Sequence, residues 1–147
     1  MFQDEFRITS LNPDGKKFEK VDRIMASGIH YDGQLLMDVN SELLECAVDD
    51  RLSVCLLWLL SQKSQVSLAK ANGKNHDELE ASFDKYQYVM YGTVYKYKHT
   101  KDDKVEVHLS HGGLLARVNG DEQHLHQLEV DSEIYTMVKK FDRSAAR

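Results

Sequence analysis

The chain reads as all-β, with the pattern of a closed barrel or a sandwich. Three observations lead there. Roughly eight short segments alternate apolar and polar residues, the spacing of half-buried strands. Turn chemistry separates them, at Asn12-Pro13-Asp14-Gly15, Asp32-Gly33, Lys101-Asp102-Asp103, Gly112-Gly113 and Asn119-Gly120-Asp121. The only proline, Pro13, falls in one of those turns, so none interrupts a strand.

Phe6 to Leu11 and Phe18 to Ala26 open the series. Leu35, Met37 and Val39 then alternate with Leu36, Asp38 and Asn40, a half-buried strand. From Arg51, the residues Leu52, Val54, Leu56, Trp58 and Leu60 share one face. The opposite face, Ser53, Cys55, Leu57 and Leu59, turns apolar towards its end, so this strand is expected to be covered on both sides. A tyrosine-rich run from Tyr86 to Tyr97 follows. Val105, Val107 and Leu109 alternate with Glu106, His108 and Ser110, and Leu114 to Val118 and Ile134 to Phe141 complete the set. Asn119 to Gln127 reads as turn. Between the strands lies a polar stretch, residues 61–82, rich in Ser, Lys, Asn and Gln. A loop of that length in a compact domain is functional or disordered. Asn75 with Glu78 resembles a capping box, and Leu79 with Phe83 gives helical spacing, so one short helix is expected inside it. The residues lead to an antiparallel, mostly closed β-barrel with one long loop, a single domain over 1–147.

Composition bounds the function. With 147 residues, 41% hydrophobic and 29% charged, the chain is globular rather than disordered. A net charge of −5 argues against a protein whose main task is gripping phosphates, since that affinity comes from Lys and Arg. Its longest apolar run, Val54 to Leu60, is far short of the ~20 residues that cross a bilayer. The start, Met1-Phe2-Gln3-Asp4-Glu5, lacks the basic flank and apolar stretch of an export signal, so Cys46 and Cys55 are expected to be reduced thiols.

The run from Tyr86 to Tyr97 holds five of the seven tyrosines. Tyr86, Tyr88 and Met90 fall on one face and Gln87, Val89 and Tyr91 on the other, so both faces carry large side chains. One face is then core, and part of the other is expected to meet a partner. Gly92 sits mid-run, where a strand often bulges or meets a foreign backbone.

This run resembles the central motif of the eighth subunit shared by the nuclear RNA polymerases I, II and III, through Tyr88-Val89-Met90-Tyr91-Gly92, Tyr95 and Lys96. A second block, Ser110-His111-Gly112-Gly113-Leu114-Leu115-Ala116-Arg117-Val118-Asn119-Gly120, resembles the same family, with His111 where an aromatic is usual and Ala116 where Met is usual. Weaker likenesses include Phe2, Asp4 and Phe6; Gly15-Lys16-Lys17-Phe18; Asp38-Val39-Asn40; and Glu129-Val130-Asp131-Ser132 with Tyr135, Lys139 and Lys140. The stretch from Ser61 to Ser82 does not match. The resemblance implies an eight-stranded barrel related to the OB-fold. It also implies a nuclear, including nucleolar, non-catalytic subunit that docks on the largest polymerase subunit and touches other subunits. No cofactor, no membrane and no sequence-specific nucleic acid contact would be needed.

The chemistry-bearing residues are weighed against that. His108 with His111, and His124 with His126, could be metal ligands, but no HExxH or CxxC pattern accompanies them, and a surface histidine cluster is the simpler reading. Ser110 and His111 are adjacent, so they point to opposite faces of a strand and cannot act as nucleophile and base. Asp49-Asp50 and Asp102-Asp103 read as exposed turns. Gly112 and Gly113 read first as a tight turn, and also as a bare patch where another backbone could lie. Arg117 is either an outward charge or an anchor for a partner's carboxylate. Lys96, Lys98, Lys101 and Lys104 form a basic stripe best read as a solvated edge. The expected partner-binding set is Tyr91, Gly92, Thr93, Gly112, Gly113, Leu115 and Arg117. The alternative from another class is a stand-alone OB-type module that stacks single-stranded nucleic acid on the tyrosines. A metal-dependent hydrolase using the histidines is a third.

Overall fold

A computed structural model describes residues 1–16, 18–59 and 84–141. Eight strands form it: β1 (Phe2–Leu11), β2 (Val21–Gly28), β3 (Gln34–Asn40), β4 (Arg51–Leu59), β5 (Tyr88–His99), β6 (Lys104–His111), β7 (Leu114–Asp121) and β8 (Glu133–Lys140). They close into a barrel in the order β1-β2-β3-β7-β6-β5-β8-β4, and each neighbouring pair is antiparallel. The polar stretch 61–82 and the helix expected at Asn75–Phe83 lie outside the described residues.

Alternation decides what fills the interior. Phe6 and Ile8, Ile24, Leu35 with Met37 and Val39, Leu52 with Val54, Val94, Val105 with Val107 and Leu109, Val118, and Ile134 with Val138 point into one core. β4 is buried on both faces, because Cys55 and Leu57 on its outer side pack with Met137, Tyr86, Val89 and Tyr135 in a second apolar cluster. Both cysteines are buried, and neither is in a disulfide. Burial pushes the Cys46 thiol up to about 11, partly offset by Lys140, so it stays protonated near neutrality.

Two expectations need correction. Asn119, Gly120 and Asp121 are not turn but the end of β7, paired with Glu106, Val105 and Lys104. A short helix, α1 (Glu122–Leu125), follows and buries Leu125. Asp50 is not an exposed turn residue: it is buried, and its Oδ2 accepts the Ala47 N–H at 2.9 Å, whereas Asp49 is exposed at φ 75°. A carboxylate that accepts a backbone N–H can be buried at tolerable cost, which composition alone does not reveal. β5 changes partner along its length: Tyr88–Thr93 pair with β8, and Thr93–His99 pair with β6. Lys96 and Lys98 are exposed there, while Lys104 is tied to Asp121 at 2.6 Å.

Candidate docking surface

Side chains alternate across a strand, so the outward face of β5 is set by its inward one. Tyr88, Met90, Gly92 and Val94 face the interior, leaving Tyr91 and Thr93 exposed. A bulge between Val94 and Lys96 then re-aims the strand, so Tyr95 and Lys96 are both exposed. Register carries this face across the neighbours. Thr93 pairs with Ser110, and Ser110 with Leu115; Lys96 pairs with His108, His108 with Arg117, and Arg117 with Leu36. On the other side Tyr91 pairs with Tyr135, their rings 5.2 Å apart. One outer strip therefore runs from β8 through β5, β6 and β7 to β3. It exposes three large apolar groups together, Tyr91 at 49%, Tyr95 at 46% and Leu115 at 41%.

Of the expected set, Tyr91, Thr93, Leu115 and Arg117 meet on this strip. Gly112 and Gly113 form the two-residue link between β6 and β7, with φ of 63° and 102°, and a Cβ on either would meet open space. Positive φ at both positions is what a tight hairpin of this twist requires, and the bare surface leaves room for another chain. Gly92 stands apart. It is buried, and a Cβ there would run into the Ser110 carbonyl, with the Ser110 carbonyl carbon at 2.8 Å and His111 Cα at 2.9 Å. The close backbone is its own neighbour, β6.

The sequence did not single out the pair that fixes Leu115. Asp38 lies on the outer side of β3 yet is buried. Its Oδ1 accepts Arg23 Nε at 2.7 Å, and its Oδ2 accepts Arg23 Nη2 and the Leu115 N–H, each at 3.1 Å. The β3–β7 ladder ends at Met37 and Ala116, and the Asp38 carboxylate takes the next N–H in its place. Two-pronged Arg–carboxylate geometry is rigid, so the start of β7 is held in position. The signal for it was an acid on the outward side of a half-buried strand, in the Asp38-Val39-Asn40 block.

The histidines are dispersed. His108 faces outward; its Nε2 lies 2.6 Å from Glu106 Oε1, a bond that holds the carboxyl below its usual range. His111 points into the barrel, where its Nε2 sits 2.8 Å from Thr136 Oγ1. It is buried there, and burial pushes its pKa down to about 4, partly offset by the Leu114 backbone. His124 packs against Tyr31 at 4.6 Å, and His126 Nδ1 is 3.2 Å from the Gln123 carbonyl. With His124 on α1 and His126 just past its end, the pair does not share a strand face, and among the described residues no three His, Cys, Asp or Glu side chains gather as a metal would need.

Comparison with known proteins adds identity to this geometry. The family model for RNA polymerase Rpb8 matches residues 3–140. A Dictyostelium discoideum protein named as subunit rpabc3 of DNA-directed RNA polymerases I, II and III is 33% identical over 95% of this chain and 96% of its own. The Saccharomyces cerevisiae protein named as subunit RPABC3 of the same three enzymes is 32% identical over 95% of this chain and 97% of its own. An Arabidopsis thaliana protein, 32% identical over 95% of both chains, is named as subunit 8B of polymerases II, IV and V.

Proposed function

The chain belongs to the RNA polymerase Rpb8 family, and from that membership we propose that it is a non-catalytic subunit common to DNA-directed RNA polymerases I, II and III, docking on the largest subunit. The observation that carries this reading is the near full-length match to relatives named as subunits of those enzymes. It favours this role over a stand-alone module for single-stranded nucleic acid. The place of work is the nucleus, nucleolus included.

The geometry supplies a mechanism. The barrel is closed, and each strand that carries the strip is hydrogen-bonded to its neighbours, β6 to β5 and β7 and β5 first to β8 and then to β6. Its side chains are thus held before a partner arrives, and little ordering entropy is lost on association. Affinity would rest on a few anchors, Tyr91, Leu115 and Arg117, with Thr93 between them and the bare Gly112-Gly113 turn admitting close approach; such anchors are worth about 2–4 kcal/mol each when desolvated. Gly92 serves the surface only from within. The nucleotide chemistry is assigned to other chains of the enzyme.

The test is co-purification. A tagged full-length chain recovered from nuclear extract is expected to bring stoichiometric polymerase subunits, identified by mass spectrometry, from all three enzymes. Since the Arabidopsis relative is named for polymerases II, IV and V, the same experiment reads which enzymes this chain joins. Recovery of a solitary species would overturn the proposal.

A further inference from the structure

Beside the exposed tyrosines the strip contains a cleft of about 110 Å³, lined by Arg23, Leu36, Tyr95, His108, Leu115 and Arg117. A water needs only roughly 10–15 Å³, so the cleft has room for a side chain. Resting on the subunit reading, we propose that this cleft holds an acidic–apolar element of a neighbouring polymerase subunit: a bulky apolar side chain with an aspartate or glutamate next to it.

The walls of the cleft suit an apolar side chain. Leu36 and Leu115 supply aliphatic surface, and the Tyr95 and His108 rings, 5.7 Å apart and tilted by 58°, form an aromatic side. These walls are braced before anything binds. Asp38 holds the Leu115 N–H, and Glu106 holds His108. A rigid, partly apolar recess is where a buried anchor residue gains most.

The charges around the cleft suit an acid. Arg23 is committed to Asp38 by two bonds. Glu106 is committed to His108, and it feels Arg117 only at longer range. Among the described residues Arg117 makes no hydrogen bond or ion pair of its own, and it is half-buried at the cleft wall. Lys96, exposed and paired in register with His108, adds a second positive group at the rim. Covering a guanidinium with an uncharged surface would strand it, whereas a carboxylate can take two of its N–H groups at once. The cleft thus selects an acid beside its apolar anchor. A single-stranded nucleic acid would also seek the cations, but the neighbouring Glu106 and Asp38 and the chain's overall −5 charge disfavour a phosphate backbone.

The experiment uses the full chain inside assembled polymerase. The photo-reactive residue p-benzoylphenylalanine is placed at position 96, and separately at position 48, an exposed site that leads into β4 on the far side of the barrel. Light should join position 96, but not 48, to a peptide of a polymerase subunit in which Asp or Glu lies within two residues of a bulky apolar side chain. Arg117→Glu should cut that yield at least tenfold, Arg117→Gln less, and Arg117→Lys least; thermal unfolding of each isolated variant establishes that it folds. Cross-linking to a peptide without an acid, or a yield indifferent to Arg117→Glu and Arg117→Gln, would overturn the cleft inference while polymerase still co-purifies. Absence of polymerase from the purified sample would instead overturn the subunit reading on which it rests.

Discussion

Replacing Gly92 with alanine is expected to destabilise the barrel more than any other single methyl group added to the described glycine turns and strands of this region. Two backbone atoms of β6 lie within 3 Å of where the new Cβ would stand, and the Ser110 carbonyl oxygen is nearer still. Backbone cannot swing aside as a flexible side chain can, so β5 and β6 would have to part. The cost is expected to be about 3 kcal/mol or more, the upper range for overpacking. That is a large share of the roughly 5–15 kcal/mol that holds a domain together, and it corresponds to a fall in Tm of about 10 °C. Gly112→Ala is the control. It meets no atoms, and only its φ of 63° opposes it, at about 1–2 kcal/mol. Thermal denaturation of the two variants side by side checks the ranking; equal losses would mean that strand closeness at Gly92 does not hold the barrel shut.

His111 gives the second large effect, on pH dependence. In the folded chain its ring stays neutral down to about pH 4, whereas an exposed histidine takes up its proton near 6.5. Between those values the unfolded state binds more protons, so stability falls as pH falls. Above pH 6.5 both states are neutral and the contribution is intact; by pH 4 about 3 kcal/mol has been lost from this one group. His111→Phe removes the titrating group but keeps a ring in the same space, at the cost of the Thr136 contact. Its urea-derived stability profile should be flatter than that of the parent chain from pH 6.5 to 4. Parallel profiles would show that this ring is not buried neutral.

Much of the fold is legible in the sequence because a strand writes its burial in every second residue. Leu35-Met37-Val39 and Val105-Val107-Leu109 could be read directly, and both line the core. Strand ends were less legible. β1 begins at Phe2, with Asp4 buried among its inward residues, since that carboxylate accepts the His30 and Tyr31 N–H groups across the barrel end at 3.2 Å each. A charged residue on an apolar face breaks the alternation on paper and is accommodated only by partners distant in sequence. Asn119-Gly120-Asp121 misled in the opposite way: turn-prone residues are held extended by β6.

The candidate surface was legible in part for the same reason. Tyr91, Thr93 and Leu115 follow from which side of β5 and β7 must face out. That they lie side by side depends on register, which brings Ser110 between Thr93 and Leu115. Leu36, His108 and the Arg23–Asp38 pair entered only through the closing order of the strands, because β3 meets β7 across a separation that no local pattern encodes. The bulge after Val94, which brings Tyr95 out beside His108, is likewise a property of the pair rather than of either strand.

Hydroxyl-radical footprinting of the chain, alone and within purified polymerase, measures the central claim: that the outer face of β5, β6 and β7 is what a larger neighbour covers. Tyr91, Tyr95 and Leu115 are each open to solvent in the isolated barrel, as are Tyr31 and Val48 elsewhere. The expected result is that oxidation of Tyr91, Tyr95 and Leu115 falls several-fold on assembly while Tyr31 and Val48 react as before. Full reactivity of all three strip residues in the assembled enzyme, with protection falling on Tyr31 or Val48 instead, would contradict it.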